Sequence, residues 1–285
     1  MTQGNGEMTL NIQEKKMKKI KIGIIGCGAI GGEVALYIDK ELKDSAFVYA
    51  LTDIDEEKAL KLQEKMSRAP KICDMDNLIK SADLVVETAN VSAAKSILKK
   101  VLAWKKDVIV LSVGALIDSS FIISEARKKG INIYVPSGAI CGADGLGALS
   151  KGTIEKVTLT TSKPPKGLIG ADYLKKKKID LTNLKKEKII FEGGVKEAVK
   201  YFSKNINVAA TLVLASSFKN VTVRIKADPR LKRNVHCIEV EAKEAKISVK
   251  VENVPSKANP KTSALAILST QRLLDKIFSP LKVGS

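Results

Sequence analysis

The sequence predicts an α/β protein: a Rossmann-type, doubly wound parallel sheet followed by an α+β domain with a mainly antiparallel sheet. Three observations carry that expectation. Short apolar runs rich in β-branched residues alternate with helical patterns through the first half, as parallel strands buried on both faces require. The first run, Lys21-Ile22-Gly23-Ile24-Ile25, breaks into Gly26-Cys27-Gly28-Ala29-Ile30-Gly31 and continues as a helical pattern over 33–38. From about residue 152 strands instead follow one another with short connections, which indicates antiparallel pairing.

The glycine turn has a physical reading position by position. Gly26 permits a tight turn, Gly28 lets backbone approach a pyrophosphate, and Gly31 lets helix and strand pack closely. The following helix start, with Ala29 and Ile30, offers N–H groups and a positive dipole end to phosphates. A glycine-rich turn that binds nothing is the bland alternative; the order strand, turn, helix argues against it. Roughly 25 residues beyond Gly28, a second apolar run over 47–51 ends in Thr52-Asp53, the expected remove for an acidic partner of the ribose 2′-OH. Asp53 would repel a 2′-phosphate, so NAD is expected, with NADP possible.

The chain continues with a helix over 55–66, a strand over 83–87 ending in Thr88-Ala89-Asn90, and a helix over 93–103 that Ser92 can cap. A strand over 107–111 ends in Ser112-Val113-Gly114, and a helix over 119–129 stops at Gly130. Residues 131–135 then lead into Pro136-Ser137-Gly138-Ala139-Ile140-Cys141-Gly142. Ligands of doubly wound sheets sit beyond the strand carboxyl ends, which makes Ala89 and the 137–139 backbone candidates. Strands are expected over 155–162, 188–191, 220–226, 235–242 and 245–254, with helices over 195–203 and 206–218, the second apolar nearly all round and hence buried. A final amphipathic helix over 262–278 is expected to pack back on the first sheet. The division is thus a flexible leader (1–19), a dinucleotide-binding domain (20–150, completed by the helix within 260–280) and an α+β catalytic and dimerisation domain (151–259).

Composition narrows the classes. The 285 residues, 45% hydrophobic, give ample length for a buried core, and no apolar run approaches the ~20 residues that span a bilayer. The first 17 residues are polar, without a secretory pattern. Four scattered cysteines form no CxxC and are expected as free thiols in a cytoplasmic protein. No metal site is expected. The net charge of +18 rests on dispersed lysines, with one run at Lys175 to Lys178, and aromatics are only 4%. That is a poor fit to nucleic-acid binding; lysine and glutamate enrichment is also a habit of thermophile proteins.

Few residues can do chemistry. His236 is the single histidine; an imidazole exchanges protons near neutrality, although a lone histidine is more often structural. Asn207 opens the apolar helix, where it could cap or hold a carboxamide or carboxylate. Cys141 and Cys237 are candidate nucleophiles, or small hydrophobes.

Several motifs then converge: the glycine turn, Pro136 to Gly145, Thr161-Ser162-Lys163-Pro164-Pro165, Asn205-Ile206-Asn207-Val208-Ala209-Ala210-Thr211, Asn234-Val235-His236-Cys237-Ile238 and Pro255-Ser256-Lys257-Ala258-Asn259-Pro260-Lys261-Thr262-Ser263. From about Lys21 to the last helix the chain resembles the L-aspartate dehydrogenases, NAD(P)-dependent enzymes of NAD biosynthesis. The resemblance implies cofactor contact at Ala139 and Asn207 and catalysis by His236. It implies oxidation of L-aspartate to iminosuccinate, then hydrolysis to oxaloacetate and ammonia or hand-over to a quinolinate-forming enzyme. Ser137, Gly138, Lys163 and Asn234 are candidates for holding the substrate, and a homodimer is expected. Two other readings stand beside this one. One is a phosphorylating semialdehyde dehydrogenase with Cys141 as nucleophile; the other is an inert NAD-binding protein.

Overall fold

A computed structural model describes residues 18–202, 206–257, 259 and 262–284. The expected leader up to residue 17 lies outside the described residues, as do Asn205, Ala258, Pro260 and Lys261 of the motifs.

The first half runs β1 (Ile20–Ile25), α1 (Ala29–Glu41), β2 (Ala46–Thr52), α2 (Glu56–Gln63), β3 (Lys71–Ile72), α3 (Met75–Ser81), β4 (Leu84–Glu87), α4 (Val91–Ala103), β5 (Asp107–Val110), α5 (Ser120–Lys129) and β6 (Ile133–Tyr134). The strands lie in the order β3-β2-β1-β4-β5-β6, each neighbouring pair parallel. This is the doubly wound Rossmann order, and it reverses between β1 and β4. The apolar runs are continuous because both faces are covered. Ile22 and Ile24 join Val34 and Ile38 of α1 on one face, while Ile25 and Val85 join Leu98 and Ile79 on the other.

Two local readings need correction. α4 starts at Val91, and its cap is Asn90, whose Oδ1 accepts from Ala93 N at 3.0 Å, not Ser92. β3 and α3 were not anticipated: β3 is two residues long and incompletely buried, and α3 announces itself only through Asp74, which caps Asn77 N at 2.9 Å. The glycine stop of α5 is as expected, with Gly130 at φ +67°.

The second half runs α6 (Ala143–Leu149), β7 (Ile154–Lys163), α7 (Asp172–Lys177), β8 (Lys188–Gly194), α8 (Val195–Tyr201), α9 (Ile206–Ser216), β9 (Thr222–Ala227), β10 (Val235–Ala242), β11 (Lys246–Glu252) and α10 (Ala264–Phe278). Its sheet is ordered β11-β10-β7-β9-β8, with β7 and β9 parallel and the other pairs antiparallel. Val157, Leu159, Ile238 and Val240 lie in the second core with Leu212 and Ala209 of α9. α10 returns to the first sheet: Leu274 is fully buried in the core beneath α1, and Tyr37 donates to Asp275 Oδ1 at 2.5 Å. Among the described residues, no helix is long and apolar enough to cross a membrane.

Candidate active site

The glycine turn between β1 and α1 is built by steric necessity. Gly26 has φ +99°, and a Cβ there would meet Thr88 O at 2.8 Å. A Cβ on Gly31 would lie 1.9 Å from Gly26 O, so helix and turn touch backbone to backbone. Around Gly28 a Cβ would meet nothing within 4 Å; this open space beside the N-terminus of α1 is what a pyrophosphate needs. Thr88 braces the turn, its Oγ1 lying 2.6 Å from Gly26 O. At the end of β2, Asp53 accepts from Cys27 N at 2.6 Å and Asp55 N at 2.9 Å. Each carboxylate oxygen keeps a lone pair for a ribose hydroxyl. Burial, with the Asp53 charge beside it, pushes the Cys27 thiol up to about 12, which makes it inert. These residues fit a dinucleotide.

A cavity of about 210 Å³ opens where the two sheets meet. The first half lines it with Ile30, Ser137, Gly138 and Ala139; the second half contributes Lys163, Asn207, Asn234 and His236. Gly26, Gly28, Ala29, Gly31, Asp53 and Ala89 lie instead at the carboxyl ends of β1, β2 and β4, outside the lining of this cavity. A larger cleft of about 1060 Å³, lined by Leu116, Val213 and Leu214 among others, holds none of the predicted site residues.

His236 follows from strand alternation. On β10, His236, Ile238 and Val240 share the inner face, and His236 pairs with Thr161 of β7. It is only 4% exposed. Its Nδ1 lies 2.9 Å from Thr161 Oγ1, which leaves Nε2 as the ring nitrogen for a ligand. Burial, followed by the positive charge of Lys163, pushes the imidazole down to about 4. The ring is therefore neutral at physiological pH and available as a base.

Lys163 ends β7 and is itself buried. Its carbonyl accepts from Asp228 N at 2.9 Å. Asp228 in turn binds Arg230 through both carboxylate oxygens at 3.0 Å, and this pairing holds its carboxyl down at about 2. The pair shapes the connection between β9 and β10 that delivers Asn234 and His236.

Other expectations shift. Asn207 lies within the first turn of α9, and its Oδ1 accepts from Gly114 N at 3.1 Å; it bridges the two halves in addition to lining the cavity. Gly138, at φ +70°, donates its N–H to Ser269 Oγ at 3.0 Å, so α10 and not a ligand takes that donor. The Ala89 N–H is likewise taken, by Glu87 Oε1 at 2.9 Å. Cys141 is exposed and outside the cavity lining, so the reading that made it a nucleophile has no thiol at the site. Asn253, just past β11, was missed. Its Nδ2 donates to Ala139 O at 3.0 Å, its Oδ1 accepts from Ser263 Oγ at 2.5 Å, and its backbone N–H donates to Asn234 O at 2.9 Å.

Comparison with known proteins gives a family match for each half. Residues 26–136 match the family described as homoserine dehydrogenase, NAD binding domain, and residues 144–277 match aspartate dehydrogenase, C-terminal. The L-aspartate dehydrogenase of Methanosarcina mazei is 46% identical over 271 residues, spanning 93% of this chain and all of that protein. That of Methanocaldococcus jannaschii is 42% identical over 275 residues, again 93% of this chain and all of the relative. The crystal structure of aspartate dehydrogenase from Thermotoga maritima superposes with a TM-score of 0.73 at 28% identity, covering 94% of this chain and 100% of that one.

Proposed function

The chain belongs to the L-aspartate dehydrogenase family of oxidoreductases, with NAD as cofactor, and on that premise we propose that it oxidises L-aspartate to iminosuccinate with His236 as general acid–base. The observation that carries the role is the position of the single imidazole. It is buried and held by Thr161, in a cavity that Ile30 and Ser137–Ala139 of the nucleotide fold also line.

The glycine turn and Asp53 would hold NAD, which would supply the acceptor for a hydride from Cα of the substrate. The chain's own residues handle the proton and the charges. Aspartate arrives as an ammonium, and one proton must leave the nitrogen before a C=N bond can form. His236 Nε2 takes that proton. Its basicity is suppressed by burial and by Lys163. A dicarboxylate substrate reverses the second effect, because its negative charge offsets Lys163 and favours the imidazolium. Lys163 and Asn234 would hold the carboxylates, and Ala139 and Asn207 would hold the nicotinamide end of the cofactor. If water then adds to the imine, the same imidazole activates it, giving oxaloacetate and ammonia. The reading keeps a cytoplasmic homodimer, and hand-over of iminosuccinate to a quinolinate-forming enzyme where that partner is present.

The test is formation of reduced cofactor from L-aspartate with NAD or NADP, followed by the absorbance of the reduced nicotinamide, with glutamate, alanine and aspartate semialdehyde as controls. General acid–base catalysis contributes about 10²–10⁴-fold, so His236→Ala should lower kcat by about that factor. An undiminished rate removes His236 from the mechanism.

A further inference from the structure

Glu87, at the carboxyl end of β4, is a carboxylate with no solvent exposure at all, and nothing in the reaction scheme above uses it. Ionised side chains are seldom fully buried unless each oxygen is satisfied. Here three donors converge: Ala89 N at 2.9 Å and Ser112 Oγ at 2.8 Å on Oε1, and Ser112 N at 3.0 Å on Oε2. The backbone adds a fourth tie, since Leu111 N donates to Glu87 O at 3.1 Å. A single side chain therefore fixes the ends of β4 and β5 at the edge of the crevice. Burial raises its carboxyl, and the donors from Ser112 and Ala89 oppose that shift.

What Ser112 leads into gives the arrangement its purpose. The next residues form the 3-10 turn Val113–Leu116, and Gly114 N donates to Asn207 Oδ1 at 3.1 Å. Leu111, Val113 and Asn207 all line the cavity. An unbroken run of contacts thus leads from Glu87 through Ser112 and Gly114 to the Asn207 carboxamide.

We infer that Glu87 is a positioning residue for the cofactor: by holding Ser112 it sets the turn that presents Asn207. This rests on the reading of Asn207 as a nicotinamide contact. Glu87→Gln keeps the shape but replaces one acceptor oxygen with an N–H donor that would face N–H and O–H groups. NAD binding to the folded protein should weaken about ten- to hundredfold, the effect of a lost charge-assisted hydrogen bond.

The test is a double-mutant cycle on NAD dissociation constants, measured calorimetrically with Glu87→Gln, Asn207→Ala and the pair. If Glu87 works through Asn207, adding Glu87→Gln to Asn207→Ala weakens binding by less than about twofold more. Full additivity, or an unchanged constant in Glu87→Gln with only a lowered Tm, overturns the inference. Should Glu87→Gln fail to fold, Ser112→Ala replaces it in the cycle and must show the same coupling. Because binding is read without turnover, a protein that couples these residues yet ignores aspartate would refute the proposed function and spare this inference.

Discussion

His236 Nδ1 and Thr161 Oγ1 face each other across β10 and β7 at 2.9 Å, in a pair that is almost wholly buried. A hydroxyl can donate or accept, so Thr161 serves either tautomer, and it holds the ring where Nε2 is the nitrogen left over. Thr161→Val keeps the shape and deletes the hydroxyl. The orphaned ring nitrogen then costs about 1–3 kcal/mol, a fall in Tm of a few degrees. The catalytic effect should appear as a drop in kcat of about tenfold, with the KM for aspartate nearly unchanged. A lowered Tm with an unaltered kcat would make Thr161 a structural residue only.

The depressed imidazole sets a pH dependence. His236 sits at about 4 in the fold, against roughly 6.5 when unfolded. Between those values the unfolded chain binds a proton that the folded chain refuses. Stability therefore rises with pH across that window and is lost as pH falls through it, by roughly 3 kcal/mol in all. Urea unfolding at pH 7.5 and pH 4.5 should show His236→Gln losing less stability on acidification than the parent protein. Equal losses would mean that the ring is more hydrated than its burial implies.

Asp53 decides between cofactors if its carboxylate meets the ribose. Asp53→Ser removes the charge that repels a 2′-phosphate, so the ratio of kcat/KM for NADP to that for NAD should rise about tenfold or more. The same change frees Cys27 N from its acceptor, so a modest fall in Tm accompanies it. A ratio that stays put would place the 2′ position elsewhere.

How much of this was legible follows from which contacts are local. The parallel strands were readable because burial on both faces makes each an uninterrupted apolar run, as Ile22 to Ile25 shows. The glycine turn was readable because Gly26 and Gly31 are sterically compelled. β3 and α3 were not, since a two-residue strand leaves no periodicity. In the site, His236 and Asn207 stood out as unusual residue types at element ends, whereas Lys163 was one lysine among many. Thr161 and Asn253 did not, because their meaning lies in partners 75 and 114 residues away. A threonine in an alternating strand and an asparagine after one carry no signal until those partners are in place. The Gly138 N–H was misassigned for the same reason, its acceptor being Ser269 on the returning helix.

Asn253 offers the sharpest contrast between two substitutions. Its amide joins the loop of Ala139, the start of α10 at Ser263 and, through the backbone, Asn234. Ala139 O can only accept, so the Nδ2 donor must face it. Asn253→Ala deletes both side-chain bonds and leaves a small void. Asn253→Asp keeps the acceptor for Ser263 but turns an oxygen toward the Ala139 carbonyl, replacing attraction with repulsion. If this amide holds the cavity wall in place, Asp should raise the KM for aspartate at least as much as Ala, by about tenfold, despite being the closer isostere. Steady-state kinetics on the two variants decide the matter: a benign Asp beside a damaging Ala would show that the bond to Ser263, not the one to Ala139, shapes the site.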